Sequence, residues 1–91
     1  MTKIIHKDIS VSGEFRWSCG FRFAAMQKAY ALGITGYVTR KKSTIYIEAE
    51  GEMKKLETFI AWCHIGPVGC RIDSVLAEDG EMKGYTSFEM K

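Results

Sequence analysis

Apolar and polar residues change period several times along the chain, and each change marks an element. From Ile4 to Phe15, Ile9, Val11 and Phe15 sit among polar neighbours in partial alternation, which predicts a half-buried strand broken at Gly13. A helical spacing takes over in a run rich in Ala, Met, Gln, Lys and Leu. There Ala25, Ala29 and Leu32 share one face, which predicts a helix near Phe21 to Leu32 with Gly33 as its left-handed C-terminal cap. Gly36 to Thr39 reads as a short strand. Thr44 to Glu50 alternates cleanly, with Ile45, Ile47 and Ala49 on one face and Tyr46, Glu48 and Glu50 on the other. A second helix is expected to open at Gly51, to bury Leu56, Phe59, Ile60 and Cys63, and to stop at Gly66-Pro67. Val68, Cys70 and Ile72 alternate as a fourth strand, and Gly80 and Gly84 frame a turn region. Tyr85 to Met90 closes the chain with Phe88 and Met90 facing inward.

The resulting order, βαββαβ, is that of an α+β, ferredoxin-like sandwich: an antiparallel sheet with two helices on one face. Residues 1–91 are expected to form one domain, long enough to bury roughly 60–65% of the surface its unfolded form exposes. A net charge of +2 is too small for a nucleic-acid footprint, and the one basic run, Arg40-Lys41-Lys42, reads as a solvated turn. No segment approaches the ~18 continuous apolar residues of a membrane span, and residues 1–6 show no secretory apolar core, so a cytoplasmic monomer without membrane or nucleic-acid partners is expected. Cys19, Cys63 and Cys70 are odd in number and lack paired metal-ligand spacing, and His6 and His64 do not change this. Buried thiols are expected, with neither a disulfide framework nor a metal site.

The stretch most informative about chemistry joins the first strand to the first helix, Val11-Ser12-Gly13-Glu14-Phe15-Arg16-Trp17-Ser18-Cys19-Gly20-Phe21-Arg22. An arginine in a first helical turn lies where the peptide dipoles already place positive potential and unpaired N–H groups. An anion would relieve that conflict, accepting N–H bonds from the Ser18-Cys19-Gly20 turn and a bidentate bond from the guanidinium of Arg22. A simple solvent-exposed arginine is the alternative.

These residues resemble the acylphosphatase signature, Val-x-Gly-x-Val-Gln-Gly-Val-Gly-Phe-Arg. Val11-Ser12-Gly13 matches its beginning and Gly20-Phe21-Arg22 its end. Further on, Leu32-Gly33-Ile34, Gly36-Tyr37-Val38, Tyr46-Ile47-Glu48-Ala49-Glu50-Gly51, Gly66-Pro67 and Gly84-Tyr85-Thr86-Ser87-Phe88 fall in family order, so the likeness covers nearly the whole chain. The resemblance implies hydrolysis of the carboxyl–phosphate bond of small acyl phosphates, with no metal and no organic cofactor. It also implies that Arg22 binds phosphate together with the backbone of Ser18, Cys19, Gly20 and Phe21.

Two departures stand against this pattern. The interval from Gly13 to Arg22 is one residue longer than the family's, and Ser18 replaces a cradle glycine. Arg40 stands where the family has a water-orienting Asn, and no Asn occurs anywhere in the chain. A carboxamide both accepts from and donates to a water, whereas a guanidinium only donates. Thr39, Ser43 and Thr44 would be poorer substitutes. Two readings follow: an acyl phosphate hydrolase weakened by Arg40, and a catalytically inactive module that binds phosphate or another anion. A thiol mechanism through Cys19 is disfavoured, because its interval to Arg22 is shorter than the loop of cysteine phosphatases. Trp17 is expected to pack over the loop.

Overall fold

The computed structural model describes residues 3–15 and 19–91. Its elements run β1 (Ile4–Glu14), α1 (Phe21–Leu32), β2 (Thr35–Lys41), β3 (Thr44–Glu52), α2 (Met53–Ile65), β4 (Arg71–Gly80) and β5 (Phe88–Met90). The strands form one sheet in the order β4-β1-β3-β2-β5. β1 pairs antiparallel with both β3 and β4, β2 pairs antiparallel with β3, and β5 lies parallel to β2. Strand alternation produces this layering: Ile9, Val11, Val38, Ile45, Ile47 and Ala49 are buried in the core against Ala25 and Ala29 of α1 and Leu56, Phe59 and Cys63 of α2. The split α+β order read from the sequence is observed, with a short fifth strand, β5, added at the sheet edge and running parallel to β2. α1 ends as predicted: Gly33 takes a left-handed φ of 69°, and the N–H groups of Gly33 and Ile34 return to the carbonyls of Tyr30 and Ala29.

Several boundaries differ from the expectation. Gly51 does not open α2; it continues β3, buried opposite Ile5, because the pairing with β1 runs on to Glu52. The fourth strand begins at Arg71, so Val68 and Cys70 lie outside it and Val68 is 100% exposed. The chain reverses at Pro67, whose carbonyl accepts the N–H of Cys70 at 3.1 Å, so the alternation of Val68, Cys70 and Ile72 runs across a turn rather than along one strand. Phe88 is buried, but Met90 is 45% exposed, because it lies beyond the core at the rim of a cavity.

The cysteines also depart from expectation. Cys63 is a buried thiol, and burial pushes its pKa up to about 12. Cys19 and Cys70 instead form a disulfide across a sequence separation of 51, their Cα atoms 5.3 Å apart. Residue spacing gives no sign of a pair that only the tertiary fold brings together. Among the described residues, no helix is long and apolar enough to cross a membrane.

The packing ranks substitutions. Phe59→Ala removes a fully buried ring from the centre of the core and is expected to cost about 3–5 kcal/mol in urea unfolding. Arg71→Ala breaks only exposed contacts to Glu14 and Asp73 and is expected to stay within about 0.5 kcal/mol. Similar losses for the two variants would contradict the core assigned to Phe59.

Candidate anion site

The site is built where β1 hands over to α1. The β1–β4 register shifts between Ser12 and Gly13, and the chain then leaves the sheet. Phe15 and Phe21 meet edge-to-face with centroids 5.3 Å apart, and Phe21 lies 5.2 Å from Trp62 of α2. This aromatic cluster fixes the first residue of α1. Gly20, the N-cap, adopts φ 64° and ψ 33°; a β-carbon there would meet nothing within 4 Å, so the demand for glycine is conformational rather than steric. Its carbonyl accepts the N–H of Ala24 at 3.0 Å. The cap makes no side-chain hydrogen bond and the first turn holds no acidic residue, so neither a capping side chain nor a first-turn carboxylate offsets the positive helix end.

Arg22 projects from this turn and donates from an Nη to the carbonyl of Lys91 at 2.8 Å. That carbonyl is held in place by β5: the N–H of Lys91 donates to the carbonyl of Val38 at 2.8 Å, and its Nζ lies 4.6 Å over the ring of Tyr37. Arg40 arrives from the far end of β2, opposite Ile45. Its Nε donates to the carbonyl of Lys42 at 2.9 Å, and its Cζ lies 5.9 Å over the Phe15 ring. Those contacts leave the terminal nitrogens of its five-donor fork to meet a ligand.

Cys19, Gly20, Phe21, Arg22 and Arg40 all line one cavity of about 260 Å³. Ser18, the remaining predicted cradle residue, and Trp17 lie outside the described residues. No Asp or Glu is among the described residues lining the cavity, which therefore presents two guanidinium groups, a bare helix end and an apolar rim. Such a space suits a multiply charged oxyanion with a small apolar substituent. Cys19 cannot act as a thiolate while its sulfur is bonded to Cys70. Sequence reasoning missed the carbonyl of Lys91, because a main-chain acceptor leaves no mark in residue type. It also missed Met90 as a lining residue.

A second polar cluster lies on the sheet face away from the helices. His6, Asp8 and Glu48 offer ligand atoms within 4.8 Å of one another. They are already engaged: His6 is hydrogen-bonded to Asp8, and Glu48 accepts from the hydroxyls of Tyr37 and Tyr85 and lies 3.0 Å from the ammonium of Lys83, so the carboxylates have partners without an ion.

The profile of the acylphosphatase family matches residues 7–90. This chain belongs to the acylphosphatase family. An acylphosphatase of Trichormus variabilis is 33% identical over 99% of this chain and 89% of its own length. One from Anaeromyxobacter is 35% identical over 92% of this chain and 90% of its own. The acylphosphatase structure from Coxiella burnetii superposes with a TM-score of 0.92 at 24% identity, covering 97% of this chain and 93% of that one, a likeness of fold. Full-length HypF, described in its phosphate- and nucleotide-bound form, is similar over all of this chain and 12% of its own, with a TM-score of 0.92 and 29% identity.

The disulfide ties the residue before the N-cap to the turn preceding β4. Cys70→Ser, or reduction of the wild type, is expected to lower the unfolding free energy by about 2–4 kcal/mol. It is also expected to loosen Cys19 beside Gly20 at the cavity wall. Equal stability of the oxidised and reduced protein would contradict a stabilising role for this bond.

Proposed function

We propose that the chain hydrolyses small acyl phosphates in the cavity between Arg22 and Arg40, at a rate limited by poor orientation of the attacking water. The observation that carries this reading is the meeting of both guanidinium groups with the uncapped start of α1 in one cavity. Family membership supports the same chemistry. Arg22 and the first-turn N–H groups would hold the phosphoryl oxygens. Their fixed dipoles stabilise the charge that spreads over those oxygens as the bond to the acyl carboxylate breaks. Water attacks phosphorus in line with the departing carboxylate, and its proton passes to phosphate oxygen, no carboxylate lying among the described lining residues.

Arg40 acts in two opposed ways. As a second cation it tightens ground-state binding and stabilises equatorial oxygens, but it accepts no hydrogen bond and so cannot hold a lone pair of water toward phosphorus. A second reading, an anion-binding module without turnover, follows from this same residue.

Hydrolysis of benzoyl phosphate separates the two readings. The wild type is expected to turn over above background, and Arg22→Ala to lose about a hundredfold or more in kcat/KM. Arg40→Asn is expected to raise kcat by about tenfold while binding inorganic phosphate more weakly. A silent wild type with an active Arg40→Asn would leave the binding module standing. Full activity in Arg22→Ala would move the site elsewhere.

A further inference from the structure

His6 is 2% exposed, and each of its ring nitrogens faces a carboxylate: Nδ1 lies 2.6 Å from Oε2 of Glu50, and Nε2 lies 2.9 Å from Oδ1 of Asp8 and 3.5 Å from Oε1 of Glu48. A neutral imidazole has a single N–H and could donate to only one side, so this geometry calls for the imidazolium. Glu50, also 2% exposed, accepts three main-chain N–H groups as well, from Lys83 at 2.7 Å and from Gly84 and Tyr85 at 3.1 Å each. The sheet makes room for this: a β-carbon at Gly80 would come within 2.6 Å of the His6 ring and 2.7 Å of Asp8.

The segment held by Glu50 leads directly into β5. The carbonyl of Ser87 accepts the N–H of Gly36, Phe88–Met90 pairs with β2, and Lys91 presents its carbonyl to Arg22. Three residues of edge pairing are marginal by themselves, so the stretch before them bears on how firmly that carbonyl is held.

We propose that His6 and Glu50 are positioning residues for the anion site, their buried ion pair clamping residues 83–85 to the sheet and, through β5, fixing the Lys91 carbonyl against Arg22. The proposal rests on the reading of Arg22 as the anion-binding group. It makes the site proton-dependent from the opposite face of the sheet.

The groups around His6 set the direction of that dependence. Asp8 faces it from β1, Glu48 and Glu50 from β3, and the Tyr85 ring stacks 6.3 Å away. Lys83 and Tyr37 reach Glu48. Gly80 of β4 lies opposite His6, with Glu78 opposite Asp8, and Asp79 is engaged by Lys7. Burial opposes the imidazolium, but the hydrogen bonds and charges of Glu50 and Asp8 outweigh it and raise the His6 pKa. The stabilisation is therefore complete below about pH 6.5 and is lost as pH rises through the raised folded value. Burial would raise the carboxyls too, yet donors from Lys83, His6 and Tyr85 lower Glu50, and those from Tyr37, Lys83 and Tyr85 bring Glu48 to about 2. Tyr37 and Tyr85 are pushed up to about 12, so neither opens the clamp near neutrality. The alkaline side fails first.

Sulfate is the probe, because its charge is constant over the range. In a His64→Gln background, sulfate affinity and amide protection at residues 83–85 and 91 are followed from about pH 6 to about pH 9.5, with His6 titrated by imidazole nitrogen shifts. Affinity is expected to fall about tenfold along the His6 titration, together with protection, and to be flat in His6→Gln. Affinity constant through that titration, or the same slope retained in His6→Gln, would overturn the proposal. If His6→Gln does not fold, the wild-type curve decides alone. Neither readout involves turnover: sulfate coupling without hydrolysis would sink the hydrolase reading only, and hydrolysis without coupling would sink the clamp only.

Discussion

A guanidinium in the first turn of a helix is repelled by the dipoles of that turn, and the arrangement around Arg22 follows from how that repulsion is managed. One carbonyl, that of Lys91, accepts from Arg22 at 2.8 Å. A single main-chain oxygen offsets only part of the positive potential gathered by a guanidinium next to an uncapped helix end. On the proposed reading an anion supplies the balance, and Arg40 on the same cavity adds to the demand.

Each part of the fold that touches this region serves to hold a positive group still. Phe15, Phe21 and Trp62 pin the start of α1, the Cys19–Cys70 bond tethers the residue before its cap, and the antiparallel β2–β3 pairing carries Arg40 to the cavity mouth. β5 contributes the acceptor. In the proposed reaction, preorganisation of this kind spares the reorganisation that charged side chains would otherwise undergo as charge develops on the phosphoryl group.

Much of this was legible in the residues. Gly33 marked the end of α1, and the Ile45-Ile47-Ala49 alternation placed the buried face of β3 correctly. The sequence-predicted residues Cys19 to Arg22, with Arg40, do line one cavity. What was not legible depends on contacts between distant segments. Alternation puts Glu50 on the face of β3 opposite Ile45 and Ile47 but says nothing of what covers that face, and the 83–85 segment folding over it makes it a buried acceptor. The Cys19–Cys70 pairing, the extension of β3 through Gly51 and the displacement of Val68 into a turn likewise reflect tertiary pairing overriding local pattern.

A phosphate titration followed at the backbone amides of residues 19–23 and at Nε of Arg22 tests the central claim most directly. Saturable shifts converging on Gly20, Phe21 and Arg22, and lost in Arg22→Ala, are the result this structure requires. Resonances that stay fixed at high phosphate, or that move equally in Arg22→Ala, would contradict an anion seat at the start of α1.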